Sequence, residues 1–341
     1  MPKLPDRLGR PIRNLRLSVT DRCNLRCQYC MPEEDYRWLP KDSLLSFEEI
    51  TRVVDQFTKI GVDKVRITGG EPLLRRQLPV LINSLAQRPA LRDIALTTNG
   101  VLLAQQAQAL KDAGLNRVTV SLDTLDPNTF QLLTRRDDIA KVHDGLRAAR
   151  EAGFTNTKID TVAINGVNDG EFGDLIDFGR SVDAEVRFIE YMDVGGATRW
   201  RMDRVVTRAR ILEILSAKFG TITEVPRTDV APADRFALED GTTFGIISSV
   251  TAPFCATCDR ARLTADGMWF TCLYAETGTD LRELLRKGAT DDQLHKKLIE
   301  VWAARRDRGA EVRAGLKERT PLAEQEGLRD NPHLEMHTRG G

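Results

Sequence analysis

The chain has 341 residues, 41% of them hydrophobic and 29% charged, enough to bury a large core in one elaborated domain or in two. Lysine plus arginine (50) balances aspartate plus glutamate (50), which excludes a whole-surface field drawing the protein to nucleic acid or an anionic membrane. No apolar run approaches the roughly 18 residues that span a bilayer, and the opening MPKLPDRLGRP lacks the layout of a signal peptide; a cytoplasmic protein is expected, with neither nucleic acid nor membrane as partner.

From residue 13 to 190, short β-rich runs alternate with helical patterns, the signature of βα units around a parallel sheet. Strands are predicted at Leu15–Val19, Lys64–Thr68, Ile94–Thr97, Arg117–Ser121, Lys158–Val162 and Glu185–Glu190. The clearest helix is Phe47–Ile60, where Ser46 and Glu49 form a capping box before an apolar stripe and Gly61 ends it. Helices near 73–87, 103–113, 138–152 and 169–181 complete the alternation. The fold class is therefore α/β, an incomplete (β/α)6 barrel. Along each strand polar residues share one face: Arg16 with Ser18, Arg66 with Thr68, Thr97, Thr119 with Ser121, Lys158 with Asp160. Because parallel sheets are covered on both faces, this polar face is expected to line a cavity inside the barrel.

After about residue 195 the alternation stops. A Gly/Arg-rich connection leads to a helix near 207–218, short strands, and helical sequence over 279–306. The expected units are a partial barrel over 1–195, a C-terminal cluster and substrate region over 196–316, and a loosely ordered polar tail over 317–341 that ends in Gly340-Gly341.

All six cysteines fall in two tight groups, a pattern that in a reducing compartment signals metal or redox chemistry. Cys23, Cys27 and Cys30 follow the first strand with C-x3-C-x2-C spacing, at the mouth where such folds place their chemistry. Three thiolates can hold three irons of a [4Fe–4S] cluster and leave the fourth open; structural zinc would want a fourth ligand, and none is near in sequence. Downstream, Cys255, Cys258 and Cys272 repeat the three-thiolate set, with a zinc site closed by a remote ligand as the alternative. Arg260 and Arg262 follow directly, two apart, and in an extended segment both point the same way; such a pair suits phosphate oxygens. With Arg16, Arg66, Lys158 and Arg187 it would make a polyanion site.

The C-x3-C-x-Y-C motif of Cys23, Cys27, Tyr29 and Cys30 resembles the signature of radical S-adenosylmethionine (SAM) enzymes. That resemblance implies that SAM chelates the open iron, with Gly70 and Glu71 of the GGEP segment, Tyr29, Ser121 and Met192 as its contacts. The segments NLRLSVTDRCN, RITGGEPL, LTTNG, VSLD, RFIEYMDVG and FCxxCxRxRL, spread from residue 14 to 263, are similar to the GTP 3′,8-cyclase (MoaA) family of molybdenum-cofactor biosynthesis. The family implies two [4Fe–4S] clusters and SAM as cofactors. It implies GTP as substrate, bound by Arg16, Arg66, Thr97, Lys158, Arg260, Ala261 and Arg262, and a catalytic set of Arg16, Arg260, Arg262 and the tail glycines Gly340 and Gly341. It further implies a reducing protein as electron donor, a downstream cyclic pyranopterin monophosphate synthase receiving the product, and a monomer or homodimer. Asp259 departs from the pattern, where a neutral residue is expected, and would slightly weaken triphosphate affinity. A peptide-modifying radical SAM enzyme and a non-enzymatic iron–sulfur or zinc binding module are the other readings.

Overall fold

The alternation of aliphatic and polar residues along the N-terminal β-runs is what sets the two faces of the sheet in the computed structural model, which describes residues 4–33 and 35–340. Its strands are β1 (Asn14–Ser18), β2 (Lys64–Thr68), β3 (Asp93–Thr98), β4 (Arg117–Ser121), β5 (Thr157–Ala163), β6 (Ala184–Glu190), β7 (Ile222–Val225), β8 (Asp234–Leu238), β9 (Thr243–Ile247), β10 (Arg260–Leu263), β11 (Met268–Phe270) and β12 (Thr279–Asp280). Among the described residues these make one sheet, in the order β12-β11-β10-β1-β2-β3-β4-β5-β6-β9-β8-β7. From β10 through β9 every pairing is parallel, and an antiparallel extension finishes each end.

All six predicted strands are present, each within about a residue at either end. What the pattern did not reveal is that two later strands join the parallel row, β10 beside β1 and β9 beside β6. The sheet therefore crosses the boundary expected at 195/196 without a break. Leu15, Leu17, Val65, Ile67, Ile94, Leu96, Val118 and Val120 are buried in one hydrophobic core, packed under the helices that return each strand to the next. These are α1 (Phe47–Lys59), α2 (Leu78–Ala86), α3 (Leu103–Asp112), α4 (Pro127–Thr134), α5 (Ile139–Glu151) and α6 (Phe172–Ser181). The capping box on α1 forms as expected, Ser46 Oγ accepting from the Glu49 N–H and the Glu49 carboxylate accepting from the Ser46 N–H. The short α4 has no counterpart among the expected helices; Pro127 opens it with Asp126 as its cap.

Beyond the barrel, α7 (Arg208–Phe219) is capped by Thr207, and the helical run expected over 279–306 is divided into β12, α8 (Leu281–Arg286) and α9 (Asp291–Ala304) by the turn at Gly288. The largest difference is in the tail. It was expected to be loosely ordered, yet after α10 (Gly309–Ala314) it carries α11 (Gln325–Asp330) and α12 (Met336–Arg339), and Glu335, His337, Thr338 and Arg339 are buried. Its composition reads as a solvated segment, but Arg319 pairs with Asp193, His333 meets Asp266 and Arg339 donates to three backbone carbonyls.

Candidate active site

The sheet topology decides where the two cysteine groups lie. Cys23, Cys27 and Cys30 sit on the loop leaving the C-terminal end of β1. Cys255 and Cys258 sit just before β10, which runs parallel to β1, and Cys272 follows β11, which runs antiparallel to β10. The second group is thus at the opposite end of the strands from the first, and the polar face lies between them.

At the first loop the backbone turns tightly, the Cys30 N–H donating to Cys27 O and the Met31 N–H to the same oxygen. The Leu25 N–H and the Asn99 amide donate to Cys23 Sγ at 3.4 and 3.8 Å. Burial, and then Glu71, pushes the Cys23 thiol up to about 11; burial and the neighbouring cysteines raise Cys27 and Cys30 further. These half-buried thiols are free and close enough to oppose one another's ionisation, which bound iron would relieve. In the second group burial pushes Cys258 up, but Arg260 and Arg305 outweigh it and hold the thiol down at about 6, which favours the thiolate, the form in which cysteine binds metals. The Arg305 guanidinium donates to Cys258 Sγ at 3.4 Å and the Tyr274 N–H to Cys272 Sγ at 3.4 Å. Among the described residues no three histidine, cysteine, aspartate or glutamate side chains converge on the position of one metal ion. An iron–sulfur cluster takes one cysteine per iron, and each group supplies three free thiols with N–H donors at sulfur, a donor set that suits such a cluster.

The GGEP segment packs against the first loop so closely that only glycine fits. A Cβ on Gly70 would lie 2.5 Å from Arg22 O and 2.6 Å from Asp21 O, and one on Gly69 2.4 Å from Thr20 O. Glu71, expected at SAM, is fully buried; its oxygens accept from the Leu73 N–H, the Thr98 hydroxyl and the Asn99 N–H, and burial still lifts its pKa to about 7. Its carboxylate therefore braces the loop rather than facing open space, and Asn99 is the side chain that reaches the cysteine. Tyr29 donates its hydroxyl to Asp123 Oδ2 at 2.7 Å. Met192 and Tyr29 pack on the same small hydrophobic cluster, and Ser121, half-buried, ends β4 opposite Asp160.

The register puts Arg262, Arg16 and Arg66 side by side across β10, β1 and β2. Burial, then mutual repulsion with Arg262 first, lowers Arg16 well below the usual guanidinium value. Burial and Arg260 bring Arg262 to about 9, and burial and Arg117 bring Arg66 to about 10. Arg66 donates to the hydroxyls of Thr97 and Thr119 at 3.1 and 3.0 Å. Lys158, in register with Thr119, is held at about 8 by burial and Arg187, while Arg187 itself pairs with Glu185. Arg260 lies over the Phe254 ring and points at Cys258 Sγ. Ala261 is placed differently from the expectation: it is in register with Leu15, its methyl is in the core, and it contributes no side chain to the row. The Asp259 carboxylate is buried and accepts from Asn14, so its charge is engaged at the strand edge.

Tail and row meet at Gly340, whose carbonyl accepts from Arg262 at 3.0 Å and Arg16 at 3.4 Å. Gly340 has φ +68, and a Cβ there would lie 2.0 Å from Thr68 Oγ1, so glycine is required twice over. Gly341 lies outside the described residues. Three anchors were not foreseen. The Asp6 carboxylate, fully buried, pairs with Arg10 and Arg305, whose other N–H groups donate to Cys255 O and Cys258 O, both at 2.8 Å. Asp193 accepts from Arg313, Arg319 and the Tyr274 hydroxyl. A Cβ on Gly196 would overlap Cys30 O.

Comparison with known proteins agrees with this geometry. The family model described as the radical SAM superfamily matches residues 17–179, and the one described as Molybdenum Cofactor Synthesis C matches residues 184–311. A protein named GTP 3′,8-cyclase 1 from Mycobacterium tuberculosis is 55% identical over 343 residues, covering 99% of this chain and 96% of its own. The chain belongs to the GTP 3′,8-cyclase family. Family members named GTP 3′,8-cyclase from Acidothermus cellulolyticus and Aquifex aeolicus are 49% and 45% identical, over 91% and 92% of this chain and 88% and 96% of theirs. Among solved structures, Streptococcus suis SuiB bound to S-adenosylmethionine matches with a TM-score of 0.60 at 16% identity, over 92% of this chain and 76% of SuiB, a likeness of fold. No helix of the described residues is long and apolar enough to cross a membrane.

For this member of the cyclase family the Asp6 network gives a test. Asp6→Asn leaves two buried guanidiniums without their carboxylate, at a cost of about 3–5 kcal/mol, and loosens the backbone of Cys255 and Cys258. Denaturant unfolding should show that loss, and anaerobically prepared variant should lose iron from the second cysteine group while keeping it at the first.

Proposed function

We infer that the chain is a radical SAM GTP 3′,8-cyclase, converting GTP to (8S)-3′,8-cyclo-7,8-dihydroguanosine 5′-triphosphate in the first step of molybdenum cofactor biosynthesis. The observation that carries this reading is the row of Arg262, Arg16 and Arg66 set between two three-cysteine loops at opposite ends of the strands. Buried guanidiniums that repel one another favour a polyanion, and a nucleoside triphosphate lying along the strand direction, across the row, would have its two ends near the two loops. Neither a peptide substrate nor a simple electron carrier asks for that row.

Cys23, Cys27 and Cys30 would hold the cluster that binds SAM, and Cys255, Cys258 and Cys272 the cluster that holds the guanine. When bound, the first cluster and SAM would supply the 5′-deoxyadenosyl radical that takes the C3′ hydrogen of GTP, and closure of C3′ onto C8 would be completed by one further electron and a proton. The protein's own share is placement. Tyr29, Gly70, Ser121 and Met192 would line the SAM side, with Glu71 and Asn99 holding the GGEP and cysteine loops together. Arg16, Arg66, Thr97, Lys158, Arg260 and Arg262 would fix GTP so that C3′ stays near the radical source, an advantage of orientation that can be worth several orders of magnitude. Gly340 and Gly341 would close the cavity and meet the row from the tail side. A reducing protein would deliver the electron in the cytoplasm, and cyclic pyranopterin monophosphate synthase would take the product.

The direct test is anaerobic reconstitution followed by measurement of iron, 5′-deoxyadenosine and cyclised nucleotide with and without GTP. Wild-type protein should carry two clusters and form product only with GTP. Replacing Cys255, Cys258 and Cys272 together by alanine should halve the iron and spare SAM cleavage, and zinc at that group would sink the assignment. Arg262→Ala should weaken GTP use by about tenfold to a hundredfold, the effect of losing a charge-assisted contact of about 1.5–3 kcal/mol, with SAM binding unchanged by calorimetry. Gly340→Ala, which forces a methyl against Thr68, should keep iron and GTP binding and lose cyclised product; full activity would remove the tail from the reaction.

A further inference from the structure

Arg339 is the residue before Gly340, and it is buried as completely as any aliphatic core side chain, at 0% exposure. Among the described residues no carboxylate pairs with it. Its guanidinium instead donates to three backbone carbonyls, Nε to His333 O, Nη1 to Leu273 O at 2.5 Å and Nη2 to Ala275 O at 2.5 Å, and stacks 4.2 Å above the Phe270 ring. Those partners belong to two different segments. His333 is in the tail's own turn, held by a 2.8 Å contact to Asp266, whereas Leu273 and Ala275 are on the loop that begins at Cys272, whose Sγ accepts from the Tyr274 N–H. Next along the chain, Gly340 turns into the left-handed region and aims its carbonyl at Arg262 and Arg16.

We propose that Arg339 is a positioning residue, which clasps the tail to the Cys272 loop and thereby sets where Gly340 stands against the arginine row. The proposal rests on the reading that the tail end assists cyclisation, and it adds the device that places it. Only a planar, five-donor fork can satisfy three carbonyls in divergent directions; a lysine ammonium of similar length cannot. The clasp is separate from what keeps the rest of the tail folded. Asp193 holds Arg313, Arg319 and the Leu322 N–H, and the His337 ring lies edge-on to Tyr36 and Trp38. Losing Arg339 therefore frees the residues that follow it and leaves the body of the tail in place. Because two of its three acceptors are on the Cys272 loop, the tail end is located relative to the second cysteine group and not merely to the tail itself.

The test uses full-length Arg339→Met and Arg339→Lys alongside wild type. Hydrogen exchange, read on protein with and without its iron, should show protection lost at residues 339–341 and in the 273–275 loop and kept over 325–335 in both variants. In reconstituted protein, iron per chain and the KM for GTP should stay within about twofold of wild type. The kcat for cyclised product should fall on the order of a hundredfold, as expected when a group is misplaced by an ångström or so. 5′-Deoxyadenosine should accumulate without product, and lysine should not restore the coupling. Wild-type coupling in either variant, or retained protection at 339–341, overturns the proposal. Loss of iron or of protection across the whole of 325–340 makes Arg339 a folding residue and overturns it as well. Should wild-type protein form no cyclised nucleotide, the functional reading fails by itself, and the exchange data still decide whether Arg339 places the tail end.

Discussion

The parallel pairing of β10 with β1 is the contact on which the rest of the molecule depends. It joins a strand from the last third of the chain to the first strand, and its register sets Arg262 beside Arg16. The same pairing fixes the direction of β10, so that one cysteine loop leaves the C-terminal end of β1 while the other enters at the N-terminal end of its neighbour. A five-residue strand such as β1 spans roughly 16 Å, which is the scale of an extended nucleotide. Separation of the two loops and continuity of the basic row are therefore one consequence of a single strand placement. The bends at Gly69 and Gly70, where side chains larger than hydrogen collide with backbone carbonyls, then fix how the first loop sits on the barrel mouth.

Much of this was legible in the sequence because the signals are local. Period-two alternation located the six barrel strands, and the capping box and Gly61 located the first helix. Tight cysteine spacing marked the two groups that the fold sets at opposite ends of the strands, and the polar positions on the strands marked Arg16 and Arg66 of the row and Lys158 beyond it. Ala261 shows where the same alternation was overridden. Carried over by resemblance, it stood with the substrate contacts, yet its place between Arg260 and Arg262 already puts its methyl on the opposite face, in register with Leu15.

What could not be read was carried by contacts between distant segments. Nothing near Asp6 in the sequence says that it will meet Arg305 and brace the backbone of two cysteines. Glu71 stands among the SAM contacts by resemblance to the GGEP segment, but the three donors that meet its carboxylate, Leu73, Thr98 and Asn99, are assembled only when β3 lies beside β2. The tail misled for the same reason. Its composition is that of a solvated segment, and its order comes from contacts with distant segments: Asp193, just after β6, takes Arg319 of the tail together with Arg313 of α10, His333 meets Asp266, and Arg339 donates to carbonyls of the Cys272 loop.

The partners given to buried arginines divide them by role. Arg10 and Arg305 share Asp6, and Arg313 and Arg319 share Asp193; in each case a carboxylate neutralises the charge, and the pair joins segments of backbone. Arg66 and Arg262 make no ion pair among the described residues. Their acceptors are threonine hydroxyls and a glycine carbonyl, which satisfy hydrogen-bond geometry without cancelling charge. Burying a cation on such terms is costly, and burial accordingly lowers the pKa of both Arg66 and Arg262. A protein built only for stability would place a carboxylate there. Neutral acceptors instead hold the Arg66 and Arg262 guanidiniums in one orientation and leave their charge uncancelled by an ion pair among the described residues, which is the electrostatic setting that favours a polyanion.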